Sequence, residues 1–194
     1  MSRSRAAVIL AAGQGTRMKS KTVKLLHSVG GRPMLDWAID VARSSGVERV
    51  VTVYGTHAPA VGEAATRLGA LTALQDPPLG TGHAVLAARQ ALEGFDGHMI
   101  VLPADMPLIR QSTIEAVFAA LQGGADVVAI GFEPVDTGAY GRLVLDADGN
   151  LDRIVEFKDA SQDERAIGLC NSGMLAGDAA LMCDLLGEVG NDNA

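Results

Sequence analysis

Two glycine-rich stretches and one isolated aspartate hold the residue types most able to handle a phosphorylated substrate. The first stretch, LAAGQGTRMKS, places Gly13 and Gly15 ahead of Thr16, Arg17, Lys19 and Lys21, with Lys24 close behind. Glycines let backbone N–H groups approach a phosphate closely, and guanidinium or ammonium groups neutralise the oxygens that remain. The stretch is no P-loop, since no second Gly-Lys-Ser/Thr follows, and no dinucleotide fingerprint, since Met18 stands where that pattern needs glycine. The second stretch, LGTGHA, repeats the arrangement with Gly80 and Gly82 around Thr81. In VLPADMPLI, Asp105 follows an apolar run. One such carboxylate, together with substrate phosphates, suffices for a hard cation such as Mg²⁺, although an Asp shortly before a Pro is commonly a turn or helix cap.

Other polar residues carry plainer readings. His83 opens an apolar helix and reads as a packed or capping residue, while His27, His57 and His98 show no metal-ligand spacing. Glu156 and Lys158 read as a surface ion pair on a strand. Asn171 in CNSGM is an amide in an apolar strand and needs a partner. Met174 and Met182 read as core.

The elements that would position these residues alternate between short β-branched runs and helical periods, the pattern of βαβ units on a parallel sheet. Strands are expected at 7–11, 49–54, 71–75, 98–102 and 125–132. RPMLDWAIDVARSSG, PAVGEAATRLG and GTGHAVLAARQALEG read as helices, and QSTIEAVFAALQGG as a fourth that opens on a capping box of Ser112 and Glu115. YGRLVLDADGNLDRIVEFKD reads as an antiparallel hairpin about an Asp-Gly-Asn turn. A strand at 168–176 and a helix at 178–189 follow. The expected fold is α/β: one doubly wound, mostly parallel, Rossmann-like domain with a β-rich second half. Ligands in such sheets bind beyond the carboxyl ends of the strands, where both glycine loops and Asp105 belong.

Composition narrows the partners. The net charge is -7, yet seven of the sixteen Lys and Arg precede the first acid, Asp36. Cations gathered around a glycine-rich loop in an acidic chain point to a local anion site, with Arg3 and Arg5 read as a solvated basic arm. Aromatic residues make up 4% of the chain, which speaks against a nucleic-acid surface. No run of 18 apolar residues exists, so no membrane span is expected. Arg3 and Arg5 ahead of the apolar run 6–12 mimic a short signal peptide, but a buried first strand explains the run equally well. Cys170 and Cys183 offer neither a disulfide framework nor a CxxC spacing, in keeping with a reducing cytosol.

Taken in order, LAAGQGTRM, KLLH, LGTGHA, IVEFKDAS and CNSGM resemble the uridyltransferase domain of the bacterial bifunctional N-acetylglucosamine-1-phosphate uridyltransferases and glucosamine-1-phosphate acetyltransferases. The first loop marks only the broader nucleotidyltransferase superfamily, whereas LGTGHA together with VEFKDA is far more specific. The resemblance runs from Ala7 to about Leu186. It implies a nucleotide-diphospho-sugar transferase fold and transfer of UMP from UTP to N-acetylglucosamine 1-phosphate with Mg²⁺, for cell-wall and lipopolysaccharide precursors, in the cytoplasm. By motif, Leu10, Ala11, Ala12 and Gly13 would wrap the nucleotide, and Arg17 and Lys24 would contact the phosphates. Gln75 would read the uracil edge, with Gly80 and Thr81 against the base. Pro103 and Ala104 would line the nucleotide site, and Asp105 would hold the metal. Gly141, Glu156 and Asn171 would bind the acetylated sugar. The family continues past GNDNA to an asparagine that completes the metal site and then to an acetyltransferase β-helix that assembles as a trimer, so this chain is expected to be a first domain without the second activity, monomeric by itself.

Several positions depart from the family. Val23 replaces the usual Pro before the lysine, Pro103 and Ala104 replace Tyr-Gly, TGAYGR is one residue longer than the family's shorter form, and Phe157 stands where His is frequent. PADMPLI is more like the molybdenum-cofactor guanylyl- and cytidylyltransferases. Those enzymes give no reason for VEFKDA and CNSGM. A nicotinamide-dependent dehydrogenase would place an acid after the second strand, where Tyr54-Gly55-Thr56 stands instead. A non-catalytic nucleotide-binding module would not need Asp105 with Lys24.

Overall fold

The structure is a computed structural model that describes residues 3–13, 15, 18, 20 and 22–188. Thr16, Arg17, Lys19 and Lys21 in the first loop lie outside the described residues, as does Val189 at the expected end of the last helix.

The buried run AVILA forms most of β1 (Ser4–Ala11). A strand apolar on both faces sits at the middle of a parallel sheet, because only a central position buries both sides. β1 is flanked in parallel by β4 (Arg49–Gly55) and β6 (Gly97–Pro103), and β5 (Leu71–Gln75) extends the sheet beyond β4. Between β1 and β4 lie two short paired strands, β2 (Ser28–Val29) and β3 (Arg32–Pro33), and the helix α1 (Met34–Ser44). The helices α2 (Pro59–Arg67), α3 (Thr81–Ala87) and α4 (Gln111–Gln122) follow β4, β5 and β6.

After α4 the chain becomes β-rich: β7 (Val127–Phe132), β8 (Arg142–Leu145), β9 (Leu151–Val155) and β10 (Cys170–Asp178), with α5 (Gln162–Arg165) before β10 and α6 (Ala179–Glu188) after it. The sheet order is β5-β4-β1-β6-β10-β8-β9, and β7 also pairs with β10. β10 runs antiparallel to β6, β7 and β8, and a register shift between Asn171 and Leu175 bulges it. The first four strands therefore follow the doubly wound order, and the antiparallel half is grafted onto β6.

Alternation along β1 divides the interior. Ile9 points to a core with Leu35, Ile39, Ile100 and Phe118, covered by α1, α2 and α4. Val8 points to a second core with Val51, Val53, Met99 and Met182, covered by α3 and α6. Met174 and Met182 are core residues, as expected.

The structure corrects several local expectations. The Ser112–Glu115 capping box is absent: α4 starts two residues earlier, Arg110 is its N-cap, and the Glu115 carboxylate accepts from the Gln111 amide at 2.7 Å. Reciprocal capping occurs instead at α5, where Ser161 and Glu164 satisfy one another's backbone N–H groups. The third expected helix breaks after Ala87, and Gln90–Leu92 forms a 3₁₀ turn whose Leu92 enters the core. Arg5 is no solvated arm, since its guanidinium lies 4.8 Å from the Phe118 ring centroid and donates to the Ser45 carbonyl. Arg3 is exposed but paired with Asp96 and Asp178. Glu156 and Lys158 lie in the turn after β9, and no ion pair between them occurs among the described residues.

Candidate active site

The loops at the carboxyl ends of β1, β5 and β6 meet around a cavity of about 570 Å³. Sheet register creates it. Leu10 stands opposite Pro103, and the Ala104 N–H donates to the Leu10 carbonyl at 3.1 Å, which fixes the first loop beside the β6 loop. Leu10, Ala12, Gly13, Lys24, Gln75, Gly80, Thr81, Pro103 and Asp105 all line this space. Ala11 and Ala104 do not; both are buried and support the wall from behind. Arg17 lies outside the described residues.

Lys24 begins a 3₁₀ turn anchored by buried Leu25, and its ammonium donates to Asp105 Oδ2 at 2.5 Å. Both side chains are partly exposed, at 34% and 40%, so the pair adds little to stability, and its significance is where it holds the two charges. Gly15 shapes the same corner. Its φ is +59° and a Cβ there would lie 2.9 Å from Lys24 Cβ, so a larger residue would push the lysine aside. Of the other early cations, Arg32 pairs with Asp40 and stacks on Trp37, away from the cavity.

The wall at the end of β5 is built around a buried amide. Gln75 Nε2 donates to the Gly80 carbonyl at 2.9 Å and lies 3.2 Å from His83 Nδ1, so His83 is tied to Gln75. Gly80 has φ +99° at the N-cap of α3 and open space where a Cβ would stand, which leaves its backbone accessible from the cavity.

A second cavity, of about 1030 Å³, opens on the β-rich half and is lined by Gly141, Glu156 and Asn171 together with Tyr140, Phe132 and Arg110. The strand ladder brings the first three together. Arg142 on β8 stands opposite Val155 on β9 and Cys170 on β10. In antiparallel pairs, one step back along β8 meets one step forward along each neighbour, so Gly141 faces Glu156 and Asn171. The Asn171 N–H accordingly donates to the Gly141 carbonyl at 2.8 Å. A Cβ on Gly141 would stand 3.3 Å from Glu156 Oε1, so glycine leaves room for that carboxylate. The Asn171 side chain accepts from the Gly173 N–H at 2.9 Å across the bulge. Behind this wall, Glu164 accepts the Ser161 N–H and a bond from Arg153, which together lower its pKa to about 2 and keep α5 capped.

Asp105 and Gly173 line both cavities. A carboxylate at the junction of two spaces, one edged by glycine loops and a lysine and the other by a carboxylate, an amide and backbone, can join two substrates and charge-balance what passes between them. Sequence reasoning missed Gly173, whose signal was a glycine inside an apolar strand and hence a bulge. It also missed the Phe132–Tyr140 edge-to-face pair at 4.9 Å, for which the sequence held no sign.

Comparison with known proteins bears on this arrangement. The family described as MobA-like NTP transferase domain matches residues 7–165. The "Bifunctional protein GlmU" of Maricaulis maris (strain MCS10) is 66% identical over 194 residues, covering 100% of this chain and 43% of that protein. The proteins of the same name from Caulobacter vibrioides and Paracoccus denitrificans are 53% and 50% identical, covering 99% and 97% of this chain and 42% of each protein. The chain thus spans less than half the length of these relatives.

Proposed function

This chain belongs to the MobA-like NTP transferase domain family, and from that membership we propose that it transfers UMP from UTP to N-acetylglucosamine 1-phosphate, releasing pyrophosphate and forming UDP-N-acetylglucosamine. The observation that carries the reading is the meeting of two cavities at Asp105, with Lys24 bound to it. LGTGHA together with VEFKDA supports the choice of sugar nucleotide over other products of the family.

The nucleophile in this reaction is a phosphate oxygen, already largely ionised at neutral pH because the second phosphate pKa is about 6. No general base is needed, and the absence of a Ser/His/Asp arrangement costs the reaction nothing. The work left is to align an in-line displacement and to stabilise the charge that shifts onto pyrophosphate. The backbone from Leu10 to Gly13 would hold the nucleotide phosphates, and Lys24 would supply a cation at the junction. Arg17 is proposed for the same task on sequence alone. Gln75 would read the uracil edge beside Gly80 and Thr81, with Pro103 on the wall and Ala11 and Ala104 acting through the backbone. Gly141, Glu156 and Asn171 would orient the sugar.

Mg²⁺ fits the donor set. No group of three or more His, Cys, Asp or Glu able to hold a metal occurs among the described residues. A lone carboxylate at the junction suits an ion that takes its other ligands from substrate phosphates and water. Asp105 would hold it, and the ion would neutralise the triphosphate. A cytoplasmic location is part of the same proposal, and in a full-length family member the acetyltransferase β-helix would drive trimeric assembly. No helix among the described residues is long and apolar enough to cross a membrane.

The family's description and PADMPLI favour a second reading, transfer of GMP or CMP in the manner of the molybdenum-cofactor enzymes. Titration of the protein with UTP, CTP and GTP separates the two. The uridyl reading expects UTP to bind at least about tenfold more tightly than either, since a site built to hydrogen-bond one base edge leaves polar groups unpaired with another. Tighter GTP or CTP would reverse the assignment.

A further inference from the structure

Among the described residues, the largest side chain that is fully buried is a charged one. Arg142 is 1% exposed, yet it takes part in none of the ion pairs among the described residues. Its Nη1 donates to the Tyr140 carbonyl and its Nη2 to those of Gly138, at 3.4 Å, and Arg165, at 3.3 Å, while Nε has no partner. Desolvating a guanidinium is costly, and carbonyl dipoles offset that cost less well than a carboxylate would. An apolar residue of similar size would pack here without the penalty, so packing alone gives no account of the arginine.

The register gives one. Arg142 is the residue at which β8, β9 and β10 come together, and Gly141, Glu156 and Asn171 lie one step beyond it on the three strands. Its guanidinium grips the segment leading into Gly141 through two carbonyls and the end of α5 through a third. It also lies 5.7 Å from the Phe157 ring centroid, and Arg165 approaches the same ring to 4.7 Å while donating to the Phe157 carbonyl at 3.2 Å. Phe157 directly follows Glu156, so the ring held by two guanidiniums fixes the turn that presents that carboxylate. Arg142 lines neither cavity.

We infer that Arg142, with Phe157, is the positioning residue of the acceptor half of the site: it touches no substrate, but it sets Gly141, Glu156 and Asn171 in one geometry, so sugar recognition depends on it and nucleotide recognition does not. The inference rests on the acceptor assignment proposed above. Tight specific sites require such support behind the residues in contact.

The test is isothermal titration of the full chain with UDP and with UDP-N-acetylglucosamine, in the wild type, Arg142→Lys and Phe157→Leu. The ratio of the two dissociation constants isolates the sugar's contribution. Arg142→Lys keeps the charge but cannot span three carbonyls, and it should reduce the wild-type preference for the sugar nucleotide about tenfold, with UDP affinity changed by less than about twofold. Phe157→Leu leaves every carbonyl bond in place and should reduce the preference about threefold. An undiminished preference in Arg142→Lys, or equal weakening of both ligands, overturns the inference, the second result marking a general structural role. If Arg142→Lys does not fold, the ratio in Phe157→Leu decides on its own. A wild type that binds UDP-N-acetylglucosamine no better than UDP would instead remove the acceptor assignment, and with it the inference, before any variant is compared.

Discussion

Lys24 and Asp105 meet at 2.5 Å although 81 positions separate them in the chain; both line the first cavity, and Asp105 lines the second as well. Their types and their places after β1 and β6 were enough to single them out in the sequence, because a cation in a glycine loop and a carboxylate at a strand end are chemistry-bearing in any doubly wound sheet. Arg3, equally basic and equally early in the chain, binds Asp96 and Asp178 near the opposite end of the sheet. Lys24→Ala and Asp105→Ala should each lower kcat/KM for pyrophosphate release by about a hundredfold or more, whereas Arg3→Ala should change it by less than about threefold. Comparable losses in all three would show that the cations act as a diffuse field and not at a built site. Arg142 could not be found this way. A charged residue in a strand reads as solvent-facing, and only the convergence of three strands turns it inward.

At the scale of elements, the sequence located β1, β4, β5 and β6 to within a few residues: β1, β4 and β6 are buried on both faces and leave a continuous apolar signature, while β5, at the edge, shows as a short apolar run between two helical periods. In the second half the antiparallel β8–β9 hairpin was legible from its Asp-Gly-Asn turn, but the pairing of β10 was not. Gly173 hints at the bulge between Asn171 and Leu175, but nothing local announces that β10 lies antiparallel between β6 and β7. The capping box was misplaced because Ser112–Glu115 and Ser161–Glu164 have the same spacing, and only the helix start decides which serine stands outside. β6 also carries a pH-sensitive position. His98 is buried near the start of the strand, Nδ1 has no partner, and burial, then the charge of Arg3, outweigh Asp178 and hold its pKa below the ordinary value. A depressed histidine favours the neutral form in the folded state. Its contribution is therefore fully present above the unfolded pKa of about 6.5 and is lost as pH falls through the folded value. Denaturant midpoints should decline as pH is lowered from about 7 to about 5, and His98→Gln should flatten that decline. An unchanged slope would assign the acid sensitivity to other groups.

Over the whole molecule, two cores lie on either side of one sheet, and the antiparallel half completes what the parallel half begins. The glycine loops and Asp105 come from the first 105 residues, while Gly141, Glu156 and Asn171 come from the last third of the chain. Asp105 and Gly173 are where the halves touch. On the proposed function this layout would require both substrates at once, with the phosphorus under attack held in one cavity and the attacking oxygen in the other. The direct test is to incubate the protein with UTP, Mg²⁺ and N-acetylglucosamine 1-phosphate and to follow pyrophosphate and UDP-N-acetylglucosamine together. The account predicts equal amounts of the two products and none of either when the sugar phosphate is left out. Pyrophosphate released from UTP without the sugar phosphate, or from GTP or CTP but not from UTP, would contradict it.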